Sequence, residues 1–242
     1  HQHENIKPYE NENPLSYLSR ALRIKLKGEP PDFLDILKKE INLKNNIEVL
    51  SICAGPARTE SSWCKVLGEK CKWSILDISE ELLISAGKSF PLGSAELIKA
   101  DANNLYPIDR QWDVIMCMSG LHHIVELENA VNFVSNSLKD NGKFFCIGEA
   151  VGKYGNKLNA RELYFANNAF KNLPDKYRIN KYTKIIDQEI DNSDCAALTF
   201  EGIRSDQILN ILNRKFICTK RYLRDCFLWR SVGFNYMENY NL

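Results

Sequence analysis

The chain has 242 residues, 44% of them apolar and 26% charged, which fits one globular domain of ordinary to large size with a self-sustaining core. Lys plus Arg number 32 against 31 Asp plus Glu, so no long-range field favours nucleic acid or an anionic membrane surface. The eight cysteines include no C-x-x-C pair, which disfavours a zinc site or a thioredoxin-like motif, and a reduced, cytoplasmic protein is expected.

Residues 1–13 are polar, without the pattern of a signal peptide. From 14 to 27 the spacing predicts a helix, with Leu15, Leu18, Leu22 and Leu26 near one face. Gly28 to Pro31 breaks it, and a second helix is predicted from 31 to 40. A regular alternation follows. Strands are predicted at 48–53, 72–76, 95–99, 112–118 and 143–147, and helices at 60–67, 79–88 and 127–138. Ser79 is placed to cap the second of these helices, and Asp140-Asn141-Gly142 reads as a turn before the fifth strand. This spacing implies βαβ units and a parallel sheet wound right-handed. No apolar run approaches the roughly 18 residues of a membrane span, so no membrane partner is expected.

After Glu149 the regularity ends. A helix is predicted over 159–171, another capped by Ser205 and running to 213, and a strand over 216–223; residues 226–237 suit either a strand or an apolar helix.

In an open parallel sheet, ligands bind beyond the carboxyl ends of the strands, at the switch point of the winding. Four features fall there. The first strand runs into Cys53-Ala54-Gly55-Pro56-Ala57, a turn of mostly small residues that lets a ligand approach the backbone. Asp77 follows the second strand, 22 residues beyond Gly55, where a carboxylate can accept both hydroxyls of a ribose. Asp101-Ala102 follows the third, suited to an adenine edge. Ser119-Gly120-Leu121-His122-His123 follows the fourth. A dinucleotide site uses G-x-G-x-x-G, and only Gly55 of the three glycines is present, which argues for a ligand without a pyrophosphate.

On these residues the sequence resembles the class I S-adenosylmethionine-dependent methyltransferases. Residues 49–57 match the first glycine-rich motif, Asp77 the ribose acid and Asp101 the adenine contact. Residues 113–118 with Leu121-His122-His123-Ile124 match the fourth-strand motif, and 138–143 the turn into the fifth strand. Ser51 stands where the family usually has an acid, and Cys53 and Ala57 where it usually has glycine.

The resemblance implies a Rossmann-like α/β fold: a seven-stranded, mostly parallel sheet sandwiched by helices, with an N-terminal helical extension. It divides the chain into an extension or lid (1–44), a cofactor-binding core (45–150) and an acceptor-pocket lid with the last part of the sheet (151–242), all in one domain. The implied cofactor is S-adenosylmethionine, leaving as S-adenosylhomocysteine, held by Cys53, Ala54, Gly55, Pro56, Asp77, Ile78, Asp101, Ala102, Met118 and Ser119. His122, His123 and Glu149 are the candidate catalytic residues, and no metal is expected. Glu60, Tyr17, Arg20, Tyr164, Arg204 and Trp229 are further candidates for the pocket. The expected acceptor is a small molecule with an oxygen or nitrogen nucleophile; the oligomeric state stays open, a homodimer included. The alternatives are a protein that binds the cofactor for cyclisation or decarboxylation, and a non-catalytic binding partner.

Overall fold

The structure is a computed structural model. It describes residues 17, 20–21, 32–44, 46–106, 109–197, 199–223, 230–231 and 235–239. The chain divides into two compact units, one of residues 32–156 with 195–218, the other of 1–31, 157–194 and 219–242.

The first unit is built on a five-stranded, all-parallel sheet in the order β3-β2-β1-β4-β5. The strands are β1 (Ile47–Ile52), β2 (Cys71–Asp77), β3 (Ala95–Lys99), β4 (Trp112–Met118) and β5 (Leu138–Ile147). Helix α1 (Phe33–Lys44) precedes β1; α2 (Arg58–Leu67) and α3 (Glu80–Ser89) connect the first three strands. Helix α4 (Leu127–Ser137) leads directly into β5. The alternation along each strand sends side chains to two separate cores. Leu50, Ile52, Ile115 and Cys117 pack with α4, whereas Val49, Ile75, Val114 and Met116 pack with Leu37 of α1, Cys64 of α2 and Ala86 of α3. A parallel sheet must bury both faces, and burying each of these aliphatic side chains contributes about 1.5–3 kcal/mol. The winding reverses at β1, which pairs with β2 on one side and β4 on the other.

Five strands are found among the described residues where seven were expected. Residues 216–223, read as a strand, join no ladder there. They follow α6 (Ile208–Lys215) as irregular chain. Phe216 packs its ring 5.4 Å from that of Phe144, but Ile217 is 92% exposed, so the segment lacks the two-faced burial a further parallel strand needs. Ser205 does not cap α6, whose N-cap residue is Gln207; its hydroxyl donates instead to Asn156 Oδ1 at 3.0 Å. The predicted 140–142 turn is an irregularity inside β5. Trp112 pairs with Leu138 and Val114 with Lys143, so the extra residues bulge out, with Asn141 at φ 61°. Residues 1–16, 18–19 and 22–31, and 226–229, lie outside the described residues, and with them most of the predicted first helix and the start of 226–237; Tyr17, Arg20 and Ala21 are helical.

The second unit has its own small core of Leu158, Ala166, Phe170, Ile190 and Tyr236. Helix α5 (Ala160–Lys171) starts with a complete capping box between Asn159 and Glu162. Arg178 is buried and donates to the carbonyls of Leu173 and Asp187.

Candidate functional site

The loop between β1 and α2 owes its shape to small residues. Cys53, Gly55 and Ala57 all adopt positive φ (52°, 55° and 46°), a left-handed conformation that bulky or branched residues resist. The loop is tied down twice from β2. Ala54 N–H donates to Leu76 O at 3.1 Å, and Gly55 N–H to Asp77 Oδ2 at 2.7 Å. The other Asp77 oxygen accepts from Ser79 N–H at 2.9 Å, while the cap of α3 is the Ser79 hydroxyl, which accepts from Leu82 N–H. Asp77 is therefore not a helix cap. It joins the β1 loop to the end of β2, and each oxygen keeps a free lone-pair direction.

Beneath the loop, Ser51 hydroxyl donates to Glu60 Oε1 at 2.7 Å, both groups buried. A carboxylate thus does stand behind the turn, supplied by the first turn of α2 rather than by β1. Burial raises the Glu60 pKa above its ordinary value.

After β3, Asp101 accepts from the backbone and side-chain amides of Asn103, which lower its pKa. Asn103 then accepts through its own Oδ1 from Val125 and Glu126 N–H, fastening the β3 loop to the segment after β4. Ala102 is buried and Ile78 is 61% exposed.

After β4 the chain passes Met118, half-buried, and Ser119, whose φ is 53° and whose hydroxyl donates to Gly148 O at 3.0 Å. Gly120 sits against the first loop: a Cβ there would lie 2.6 Å from Cys53 Cβ. The ends of β1 and β4 are thereby fitted together at the reversal point.

Residues Leu121–His123 form a turn of 3-10 helix arranged around Glu149. One Glu149 oxygen accepts from Gly120 and Leu121 N–H (2.9 and 3.1 Å), the other from His122 N–H (3.2 Å) and the His122 Nδ1 (2.7 Å). His122 Nε2 and His123 Nε2 each lie 3.4 Å from an oxygen of Glu201, and His123 Nδ1 lies 3.1 Å from Phe200 O. Burial alone would lower the His122 pKa, but Glu149 and Glu201 outweigh it and push it up to about 9.

Residues 49–142 match a family profile described as a methyltransferase domain. The chain is 26% identical over 110 residues to a demethylmenaquinone methyltransferase of Staphylococcus saprophyticus, covering 45% of this chain and 47% of that protein. A demethylmenaquinone methyltransferase of Staphylococcus epidermidis is 26% identical over 108 residues, 44% of this chain and 45% of its own length. The chain thus spans about half the length of these curated relatives. Among solved structures, a crystal structure of a methyltransferase-like protein from Bacillus halodurans aligns over 75% of this chain and 67% of its own, at 17% identity and a TM-score of 0.48.

Within the first unit, most of the sequence-derived candidates converge. Cys53, Ala54, Gly55 and Pro56 form one loop; Asp77 holds it; Ser119 and Gly120 abut it. Asp101 and Ala102 stand over the β3 end. Glu149 is enclosed, its side chain 3% exposed and saturated by donors, so it anchors the His122 turn rather than facing the open crevice. Arg204 is spent on Glu128, with bonds of 2.5 and 2.6 Å, and on Val125 O. Tyr164 is 63% exposed on α5, and Trp229 lies outside the described residues. Three contributors were not read from the sequence. Asn103 and Glu201 are single polar residues in unpatterned stretches, and Asn156 donates to Glu201 Oε1 at 2.8 Å. Gly202, at φ 76° and with a would-be Cβ 2.5 Å from Asn156 Oδ1, fixes the turn carrying Glu201.

Proposed function

We propose that the first unit binds S-adenosylmethionine across the carboxyl ends of β1, β2 and β4 and is a methyltransferase that passes the methyl group to an oxygen or nitrogen nucleophile of a small molecule, releasing S-adenosylhomocysteine. The observation that carries this reading is the Gly55 N–H to Asp77 Oδ2 bond. It joins the small-residue turn to the one acid suited to a ribose, at the point where ligands bind in such sheets. A sulfonium methyl is already activated, so the protein's main work is to hold the acceptor in line with it. The acceptor's proton is the remaining need, and His123, partly exposed on the same rim, is suited to that end. The acceptor in the relatives' name, demethylmenaquinone, supports a small-molecule acceptor without identifying this one.

Calorimetry with S-adenosylmethionine and S-adenosylhomocysteine tests the reading. Asp77→Asn should weaken both by roughly 10- to 100-fold, the scale of leaving one or two hydroxyls poorly paired. If the variant binds as tightly as the parent, Asp77 only braces the loop; if the parent binds neither ligand, the reading falls.

A further inference from the structure

We infer that His122, His123 and Glu201 form a binding site for one divalent first-row transition ion, zinc being the expected occupant. This goes beyond the methyl-transfer reading and does not depend on it.

Three lone-pair-bearing atoms converge. Glu149 accepts at His122 Nδ1, and Phe200 O accepts at His123 Nδ1, so in each neutral ring the proton belongs on Nδ1. Both Nε2 atoms are then bare acceptors, and each faces a different oxygen of Glu201, His122 toward Oε1 and His123 toward Oε2, a carboxylate that is also an acceptor only. The ligand atoms lie within 4.8 Å of one another. Both nitrogen–oxygen distances are 3.4 Å, long for a charged hydrogen bond. Two ligands each about 2.1 Å from a tetrahedral ion would lie roughly 3.4 Å apart. A proton on His122 satisfies this arrangement in part; an ion satisfies all three groups at once, releasing the Nε2 proton to solvent.

Each ligand also has the outer support that metal sites use. Glu149 holds His122, the Phe200 carbonyl holds His123, and Asn156 Nδ2 donates to Glu201 at 2.8 Å. Two imidazoles and one carboxylate select zinc, iron, cobalt or manganese over magnesium and calcium, which prefer oxygen alone. Three protein ligands leave at least one position open, and His123 and Glu201 are partly exposed. An oxygen nucleophile bound there would lose its proton more readily. The His pair is adjacent in sequence, not one helical turn apart, and its third ligand comes from 78 residues beyond His123, so no sequence spacing announces the site.

The test uses the full chain, stripped of metal, with thiols kept reduced, titrated with zinc by calorimetry and with cobalt by visible absorption. One ion per chain is expected, with a cobalt spectrum free of thiolate charge transfer. His123→Ala and Glu201→Gln, both at partly exposed positions, should each weaken binding by about tenfold or more, and Glu149→Gln by about 10- to 100-fold. A variant with His1 and His3 replaced by Ala should bind as the parent does. No stoichiometric binding, binding lost with His1 and His3, a thiolate spectrum, or full affinity in both His123→Ala and Glu201→Gln would each overturn the site. None of these outcomes bears on whether S-adenosylmethionine binds, which is measured separately in the metal-free chain.

Discussion

Single residues at the strand ends decide whether the crevice keeps its shape, and Gly120 is the most constrained. Its φ of −122° is ordinary, so the requirement is steric: a methyl group would meet Cys53 Cβ at 2.6 Å and Cys117 Sγ at 2.8 Å. Gly120→Ala should destabilise the fold by about 1–3 kcal/mol, the range for overpacking, and weaken cofactor binding by displacing the β1 loop. Adding Cys53→Gly removes the clashing Cβ at a position whose φ of 52° suits glycine, and should restore part of both losses. Denaturation midpoints and calorimetry measure this; a double variant no better than Gly120→Ala would show that packing is not the cause. Residues of this kind were legible where their type limits their use. Gly55 and Asp77 announced themselves because few residues suit a left-handed turn or a ribose. Ser51 and Cys53 depart from the usual pattern of the family the sequence resembles, and behind the turn Ser51 meets the acid of Glu60, nine residues on. Glu201 stayed illegible, because a lone acid becomes a ligand only through chain folded against it.

Elements read from periodicity were found at nearly their predicted bounds when both ends carried a local signal. β3 and β4 are as predicted, and α3 begins after its Ser79 cap. The β5 start was misread, because a turn sequence was taken to interrupt a ladder that in fact resumes beyond a bulge. What holds that region is Asp113. It accepts from Glu48 N–H (3.0 Å) and pairs with Lys44 (3.0 Å) and Lys139 (2.9 Å), tying α1, β1 and the bulge to the start of β4. Burial works against its charge, but these three donors prevail and hold its pKa down to about 2, against 3.8 in a free chain. A depressed carboxylate stabilises the fold above the unfolded pKa, and that contribution is lost as pH falls from about 4 through about 2. Asp113→Asn should therefore cost about 2 kcal/mol at pH 7, and its stability should converge with the parent's near pH 2. Urea denaturation at a series of pH values reads this directly, and a cost that persisted unchanged at pH 2 would assign it to shape rather than charge.

At the scale of the sheet, the arrangement sets both where the fold resists opening and where a ligand should be felt. β1 and β4 are paired on both sides, and Leu50, Ile52, Ile115 and Cys117 are fully buried, whereas β3 pairs only with β2 among the described residues and leaves Leu97 41% exposed. Amides of β1 and β4 should exchange with solvent near the global unfolding limit, and those of β3 well before it. S-adenosylmethionine should slow exchange further at residues 53–57, 77–79 and 119–122, where the loops meet. The structure also has an apolar cavity of about 190 Å³ lined by Leu50, Leu76, Ile98, Leu105, Trp112 and Phe133, which shares no residue with the crevice. The cofactor carries an ammonium, a carboxylate and two ribose hydroxyls, and leaving those in an apolar cavity without partners would cost several kcal/mol. The crevice instead offers Asp77 and the loop backbone, so protection should appear there and leave residues 104–106 unchanged. Exchange measured by mass spectrometry with and without the cofactor separates the two: slowing confined to 104–106 would move the binding site into the cavity and strip Asp77 of its role.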